Sequence, residues 1–520
     1  MTFELTLGTS FASALLALLL CLGIGSQSRK PRPPGPPPKF FIGNLKDIPS
    51  GGYEWIKYVN MARKYASDVL YFTALGTPLL VINSFEVAHE LLDKKGALYS
   101  SRPRLVMIKE LMRYDWNLLL MSYGKTFVAQ RRIVQQEFQP TVVTRLHRPV
   151  IVREVTALLC RLLAAPNISG TTMVDHFRHL TGAIIMMTTY GHQATSAKDR
   201  FIEIAEIVRE HATARPGLAL VDIVPVLRYL PTWFPGASFH RQAAIERALS
   251  VRMRSEPYQD VKERMAVGDV VSCLATRLLA QEDLPWEGTG LTRDEFVQDC
   301  CGVVYSAGAD TAIVAMRNFV LAMILFPEVQ KSAQEELDRI IGRDRLPTFA
   351  DRPQLPYISN VVKESLRWKA VSNLGVPHAT LDNDEYRGGH IPKDTTVLAN
   401  LYAMLHDESV YAEPDSFNPD RYLSTPGKPT GEPDPARAAF GFGRRVCPGR
   451  YFADDTLFLT VASLLHLFRI SNAEGATGRD AVRDVHWSSG LVSHPSPFPA
   501  MFVPRLEMEL DVVHAAQTSS

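Results

Sequence analysis

FGFGRRVCPGR, residues Phe440 to Arg450, is the stretch on which the reading of this chain turns. It sets one thiol, Cys447, in a glycine-rich loop with arginines on both sides. Gly443 and Gly449 permit positive φ and let a flat group approach the backbone. Arg444 and Arg445 favour the thiolate over the thiol by their charge. Arg445 can also form a charge-assisted pair with a carboxylate. Such a thiolate is a metal ligand, and on haem iron it donates electron density that favours O–O cleavage. The plain alternative is a buried structural cysteine in a tight turn. The other cysteines, Cys21, Cys160, Cys273, Cys300 and Cys301, are scattered without a C-x-x-C pair. Neither a disulfide framework nor a zinc ribbon is therefore suggested.

Composition narrows the classes further. With 46% hydrophobic and 21% charged residues the chain is not broadly disordered. A net charge of +1 gives no global field for nucleic acid. Length alone, 520 residues, suggests about three domains. Leu5 to Gly25 is a run of 21 uncharged residues, close to the ~20 needed to cross a bilayer as a helix. Arg29, Lys30 and Arg32 follow it, which favours leaving that end in the cytosol. A cleaved secretory signal competes with this, but such a signal opens with basic residues, and the only early charge here is Glu4. Residues 1–28 are thus read as an anchor. The prolines of PRPPGPPPKFFIGN, residues 31–44, predict a stiff, extended connector, so 29–44 is read as a hinge and 45–520 as the folded body.

Within the body, Val69 to Asn83 predicts two short strands around Gly76-Thr77. Thr292-Arg293-Asp294-Glu295 fits a capping box, and no proline follows until Pro327. That predicts one central helix of about 34 residues, roughly 50 Å long. Gly308 within it costs about 1 kcal/mol against alanine, so it implies a close neighbour or a bent ladder. Beside it, Asp310 and Thr311 offer an acid and a hydroxyl that can relay protons. The alternative is a kink whose Thr hydroxyl bonds its own backbone. Thr395-Thr396-Val397-Leu398 reads as a strand, and helix dominates again after Cys447. His176 and His179, three apart without an acidic or cysteine partner, read as a solvated helix face and not a zinc site.

The loop at 440–450 matches the haem-binding signature of the cytochrome P-450 superfamily, F-x-x-G-x-R-x-C-x-G, through Phe440, Gly443, Arg445, Cys447 and Gly449. The chain resembles that family along nearly the whole body. The resemblance implies haem b with Cys447 as axial ligand. Ala307-Gly308-Ala309-Asp310-Thr311 resembles the family's oxygen-activation motif, although Ala312 stands where a second hydroxyl is frequent. Glu364 and Arg367 resemble its E-x-x-R pair. The same spacing recurs at Glu110/Arg113, Glu206/Arg209 and Glu336/Arg339, where it reads as a solvated pair worth ~0.2–0.5 kcal/mol. By family analogy Arg421 joins Glu364 and Arg367 to lock the fold around the loop. Phe127 and Arg131 stand where the family has W-x-x-x-R, which implies a propionate contact for Arg131 and one hydrogen bond lost at Phe127. His378 stands where a basic residue meets the propionates, with a turn histidine as its alternative.

The implied fold is mainly α with a small β region, a single cytochrome P-450 domain preceded by one transmembrane helix. It overrides the three-domain prior. The implied activity is monooxygenation: one oxygen atom from dioxygen inserted into a small apolar substrate. No G-x-G-x-x-G follows a predicted strand, so NADPH is not expected to bind this chain. Electrons are expected from an NADPH-cytochrome P-450 reductase, docked on a basic face formed by Arg131, Arg132, Arg444 and Arg450. The expected location is the endoplasmic reticulum membrane, with the body facing the cytosol. Gly375-Val376-Pro377-His378 and the segment 401–407 look similar to fungal members of natural-product pathways, which points to terpenoid or polyketide-like substrates. Desaturation, epoxidation, ring closure or a dioxygen-independent isomerase are the alternatives within the fold, and a haem gas sensor lies outside it.

Overall fold

The computed structural model describes residues 30–164, 167–168, 170–213, 220–424, 431–472 and 484–505. The expected anchor, residues 1–28, lies outside the described residues. The hinge is described from Lys30 and does not stand free of the body. The Tyr71 amide donates to the Pro34 carbonyl at 2.8 Å, and the His390 amide to Pro31 at 2.7 Å. Phe40, which is 97% exposed, and the exposed Phe41 project from its end.

Three small sheets flank a helical body. The first runs β1 (Val69–Ala74), β2 (Thr77–Ile82), β7 (Thr396–Ala399) and β4 (His378–Ala379). The β1–β2 hairpin pairs antiparallel, with Ala74 opposite Thr77, across the predicted turn. In the second sheet β3 (Asn167–Ile168) and β8 (Phe468–Ser471) both pair with β9 (Ala500–Pro504). β5 (Asp384–Tyr386) and β6 (Gly389–Ile391) make the third.

The helices that position the site are α1 (Lys125–Glu137), α2 (Arg148–Ala164), α3 (Gly170–Tyr190), α4 (Arg200–Thr213), α5 (Phe239–Ala266), α6 (Arg293–Gly308), α7 (Thr311–Leu325), α8 (Pro327–Ile340), α9 (Pro356–Trp368) and α10 (Arg450–Leu467). The Thr292/Glu295 capping box opens α6: the Thr292 hydroxyl accepts the Glu295 amide, and the Glu295 carboxylate accepts the Thr292 amide. Every residue of α7 from Ile313 to Met323 is buried, because the segment is apolar apart from Arg317 and Asn318 and packs against α3, α9 and α10. Among the described residues, 293–325 is the one helical stretch long and apolar enough to span a bilayer. Its burial makes it the core helix.

That helix is not continuous, contrary to the sequence expectation. It breaks between Gly308 and Thr311. A Cβ on Gly308 would lie 2.5 Å from Ile185 Cδ1 of α3, so a larger residue would force that side chain to shift. The carbonyls released by the break are taken by hydroxyls. Thr311 donates to Ala307 at 3.2 Å, and Thr181 of α3 to Ala309 at 3.3 Å. Side-chain hydroxyls entering the ladder are a recognised cause of kinks. The histidine pair on α3 also departs from its reading. His179 is buried with its Nε2 3.2 Å from the Ala194 carbonyl, and His176 is half-buried. Among the described residues no cluster of potential ligands is arranged to hold a metal ion.

Candidate active site

Cys447 lies in the loop that feeds α10, its amide donating to the Phe440 carbonyl at 2.8 Å. Phe440 packs on the same apolar core as Ala312 of α7 and Phe452 of α10. Gly443 takes φ +54°, and a Cβ there would lie 2.1 Å from the Leu92 carbonyl. Its amide donates to Asp93. The glycine thus serves the packing of the loop on the chain at 89–94. Gly449 does not use positive φ; it sits at −85°, and a Cβ would meet no protein atom within 4 Å.

Burial pushes the Cys447 thiol above its usual range, and the Gly449 amide, Arg131 and Arg450 oppose that shift. The arginines acting on the sulfur therefore differ from those read in the sequence. Arg444 is exposed and donates to the Tyr123 hydroxyl at 2.5 Å. Arg445 turns away to donate to Ser100 at 2.7 Å, Met121 at 2.8 Å and Leu118 at 3.3 Å, all backbone carbonyls. Its guanidinium lies 3.5 Å from the Phe127 ring centre. The phenyl group at this position supports the arginine through its π face.

Two further arginines share this region. Arg102 is buried and donates to the carbonyls of Leu119, Val376 and Pro377 at 2.8–2.9 Å. Arg131 of α1 donates to the Val446 carbonyl at 2.5 Å. None of the three meets a carboxylate among the described residues. Burial, with repulsion from neighbouring arginines, lowers their pKa values, Arg445 to about 9 and Arg102 well below its usual range. Buried cations left without anions are costly. A ligand carrying carboxylates, as haem does, fits this donor set.

His378 is buried on β4, with its Nδ1 2.8 Å from the Tyr99 carbonyl. Burial and the neighbouring Arg102 hold its pKa well below the ordinary range. The Nδ1 contact with the Tyr99 carbonyl leaves Nε2 as the ring nitrogen not engaged there.

Behind the loop, Glu364 and Arg367 of α9 are fully buried and paired through two bonds of 2.8 Å. Arg421 reaches Glu364 at 3.1 Å and Glu432 at 2.6 Å. The Tyr422 hydroxyl donates to Glu364 at 2.7 Å. Two guanidiniums are thus balanced by two carboxylates. On the long helix, Ala307 and Thr311 lie one turn apart and are exposed, on the face that does not pack. The adjacent Asp310 carboxylate receives His494 Nε2 at 3.0 Å.

The sequence profile described as Cytochrome P450 matches residues 33–501. The chain belongs to the cytochrome P450 family. It is 36% identical to a cytochrome P450 monooxygenase of Armillaria gallica, over 97% of this chain and 98% of the relative. It is 37% identical to the monooxygenase ple1 of Rhodocybe pseudopiperita, over 98% and 97%. A third relative, monooxygenase 98 of Postia placenta, is 39% identical over 92% of each chain. As a cytochrome P450 monooxygenase the chain is an oxidoreductase that binds haem b through a cysteine thiolate and takes electrons from a reductase.

Sequence reading of this P450 passed over Arg102, Tyr422, Glu432 and His494 as polar partners. No local pattern marks them, since their roles come from burial beside groups distant in sequence.

Proposed function

We propose that Cys447 is the thiolate that holds the haem iron, and that Arg102, Arg131 and Arg445 receive the haem propionates. The observation that carries this is the trio of arginines beside the thiol loop, without a carboxylate among the described residues. Bound haem supplies dioxygen activation. Around it, the residues of this chain hold, shield and protonate. Phe440 and Gly443 fix the thiol loop. Glu364, Arg367 and Arg421 lock the polypeptide behind it. Thr311 and Asp310 hold a hydroxyl and an acid on the central helix, where they deliver protons while the apolar core keeps bulk water out. Arg102→Leu removes one charge-assisted donor, worth about 1.5–3 kcal/mol. It is expected to raise haem loss to apomyoglobin by roughly tenfold or more, whereas Arg132→Gln on the surface leaves that rate unchanged.

The reaction is insertion of one oxygen atom into a small apolar substrate, in fungal natural-product metabolism and with terpenoids as the favoured class. Fungal relatives along nearly the full chain support that setting. The electron donor is an NADPH-cytochrome P-450 reductase, which meets the exposed Arg132 and Arg444 beside Arg131 and Arg450. Residues 1–28 anchor the chain in the endoplasmic reticulum membrane, with the body in the cytosol. Exposed apolar groups support a membrane-facing surface, with Trp233 79% and Tyr229 70% exposed. The test is reconstitution of the full chain with reductase and a panel of terpene scaffolds. Substrate-dependent NADPH use with a hydroxylated product supports the reading, and product formed without NADPH or dioxygen overturns it.

Thr311→Ala tests the relay directly. Product per NADPH is expected to fall several-fold, with peroxide making up the difference. An unchanged ratio with a lower thermal midpoint instead assigns the hydroxyl to the helix break alone.

A further inference from the structure

We propose that His494, on the carboxyl-terminal turn, is a positioning residue that sets the Asp310 carboxylate for proton delivery. The inference deepens the relay reading above and rests on it. Asp310 occupies the break in the central helix, with φ −121° and ψ −40°, and its side chain does not cap α7. Its Oδ2 accepts from His494 Nε2 at 3.0 Å. Its Oδ1 is buried without a hydrogen-bond partner, and Arg209 Nε of α4 stands off at 3.9 Å, beyond hydrogen-bond range. Among the described residues His494 is therefore the one side chain that hydrogen-bonds this carboxylate, with Arg209 as a more distant ion-pair partner.

His494 is itself held on both sides. Its amide donates to Ser488 Oγ at 2.9 Å, and its carbonyl accepts from the Ser488 amide at 2.8 Å. The next two carbonyls, of Pro495 and Ser496, accept from Arg317 of α7 at 2.6 and 3.2 Å. The helix that follows Asp310 thus fastens the turn that carries His494. Arg317 is buried, and its pKa is lowered to about 10, chiefly by burial and then by Arg209.

On the other side Asp310 lines a small cavity of about 20 Å³ with Arg178, Glu206, Arg209 and Tyr305, room for about one water molecule. Glu206 is committed there to Arg178 at 2.6 Å and to Arg209. The carboxylate thus has one oxygen clamped and the other left for water. A carboxylate free to rotate would present the wrong oxygen for part of the time, and proton transfer requires hydrogen-bond reach. In this arrangement His494 contributes orientation, and Asp310 carries the proton.

The experiment uses the full chain with reductase and a substrate that passed the assay above. It compares Asp310→Asn, His494→Ala, His494→Gln and the double variant Asp310→Asn/His494→Ala. The readouts are product per NADPH, the solvent isotope effect on turnover, and the thermal midpoint. His494→Ala is expected to lower product per NADPH several-fold and to enlarge the isotope effect. His494→Gln, whose amide can donate to Oδ2, recovers most of that loss. The double variant is no worse coupled than Asp310→Asn, and the two single losses in thermal midpoint overlap in it, as for residues in contact. A normal ratio and isotope effect in His494→Ala, beside a slow Asp310→Asn, overturns this inference alone. Strictly additive midpoint losses also overturn it. Normal turnover in Asp310→Asn overturns the relay reading and this inference with it.

Discussion

Glu364→Ala is expected to destabilise the fold by about 3–5 kcal/mol, the cost of stripping one partner from a buried charged network. Glu364 accepts from Arg367 twice, from Arg421, from the Tyr422 hydroxyl and from the Asn418 amide, all within 3.1 Å. Removing it leaves two buried guanidiniums against Glu432 alone. Whole domains are stable by only about 5–15 kcal/mol, so the variant is expected to accumulate poorly and to lose haem with its fold. Glu364→Gln keeps the volume and several of the bonds, and should fall between the two. Glu335→Ala on exposed α8, where Glu335 faces Lys331 at 3.8 Å, should stay within about 0.5 kcal/mol of wild type. Chemical denaturation midpoints of the three variants check the ranking. A Glu364→Ala protein as stable as Glu335→Ala would remove the network from any account of the fold.

The E-x-x-R pattern also shows where sequence spacing stops informing. Four such pairs occur in the chain, and the structure gives them different fates. Glu364 is locked to Arg367. Glu206 pairs with Arg209 beside the small cavity next to Asp310. Glu110 ignores Arg113 and takes Arg104 and Arg228. Glu336 is buried and accepts the first amides of α9, from Tyr357 and Ile358, at 3.0 Å each. Helical spacing fixes which residues share a face, while burial decides which of them matter. The same limit hides Arg102, whose partners are carbonyls at 119, 376 and 377.

Elements governed by local rules were legible. The capping box at Thr292 set the start of α6, and Gly76 marked the hairpin turn of β1 and β2. The break at Ala309-Asp310 was only half legible. Gly308 announced a close neighbour, but the hydroxyls of Thr181 and Thr311 that complete the break belong to two different helices. The Thr311 hydroxyl bonds the Ala307 carbonyl at the break, as the kink reading expects, and its neighbour in sequence is Asp310. At the thiol loop Gly443 takes the positive φ read for it, while the long-range contacts of the loop were not legible. Gly443 serves packing on Leu92, and Arg445 spends its donors on carbonyls.

Cys447→Ser carries the largest expected effect on function. A serine hydroxyl keeps the volume but not the soft, readily deprotonated sulfur that iron retains. The backbone bond from residue 447 to the Phe440 carbonyl is main-chain and survives the change, so the loop itself should hold. The fold is expected to persist while monooxygenase turnover is abolished. The deciding measurement is the absorption spectrum of the reduced carbon monoxide complex, taken on wild type and on Cys447→Ser at matched haem content. A red-shifted Soret band in the wild type that is lost in Cys447→Ser is the predicted result, and the same band surviving unchanged in the serine variant would contradict the assignment of Cys447 as the haem ligand.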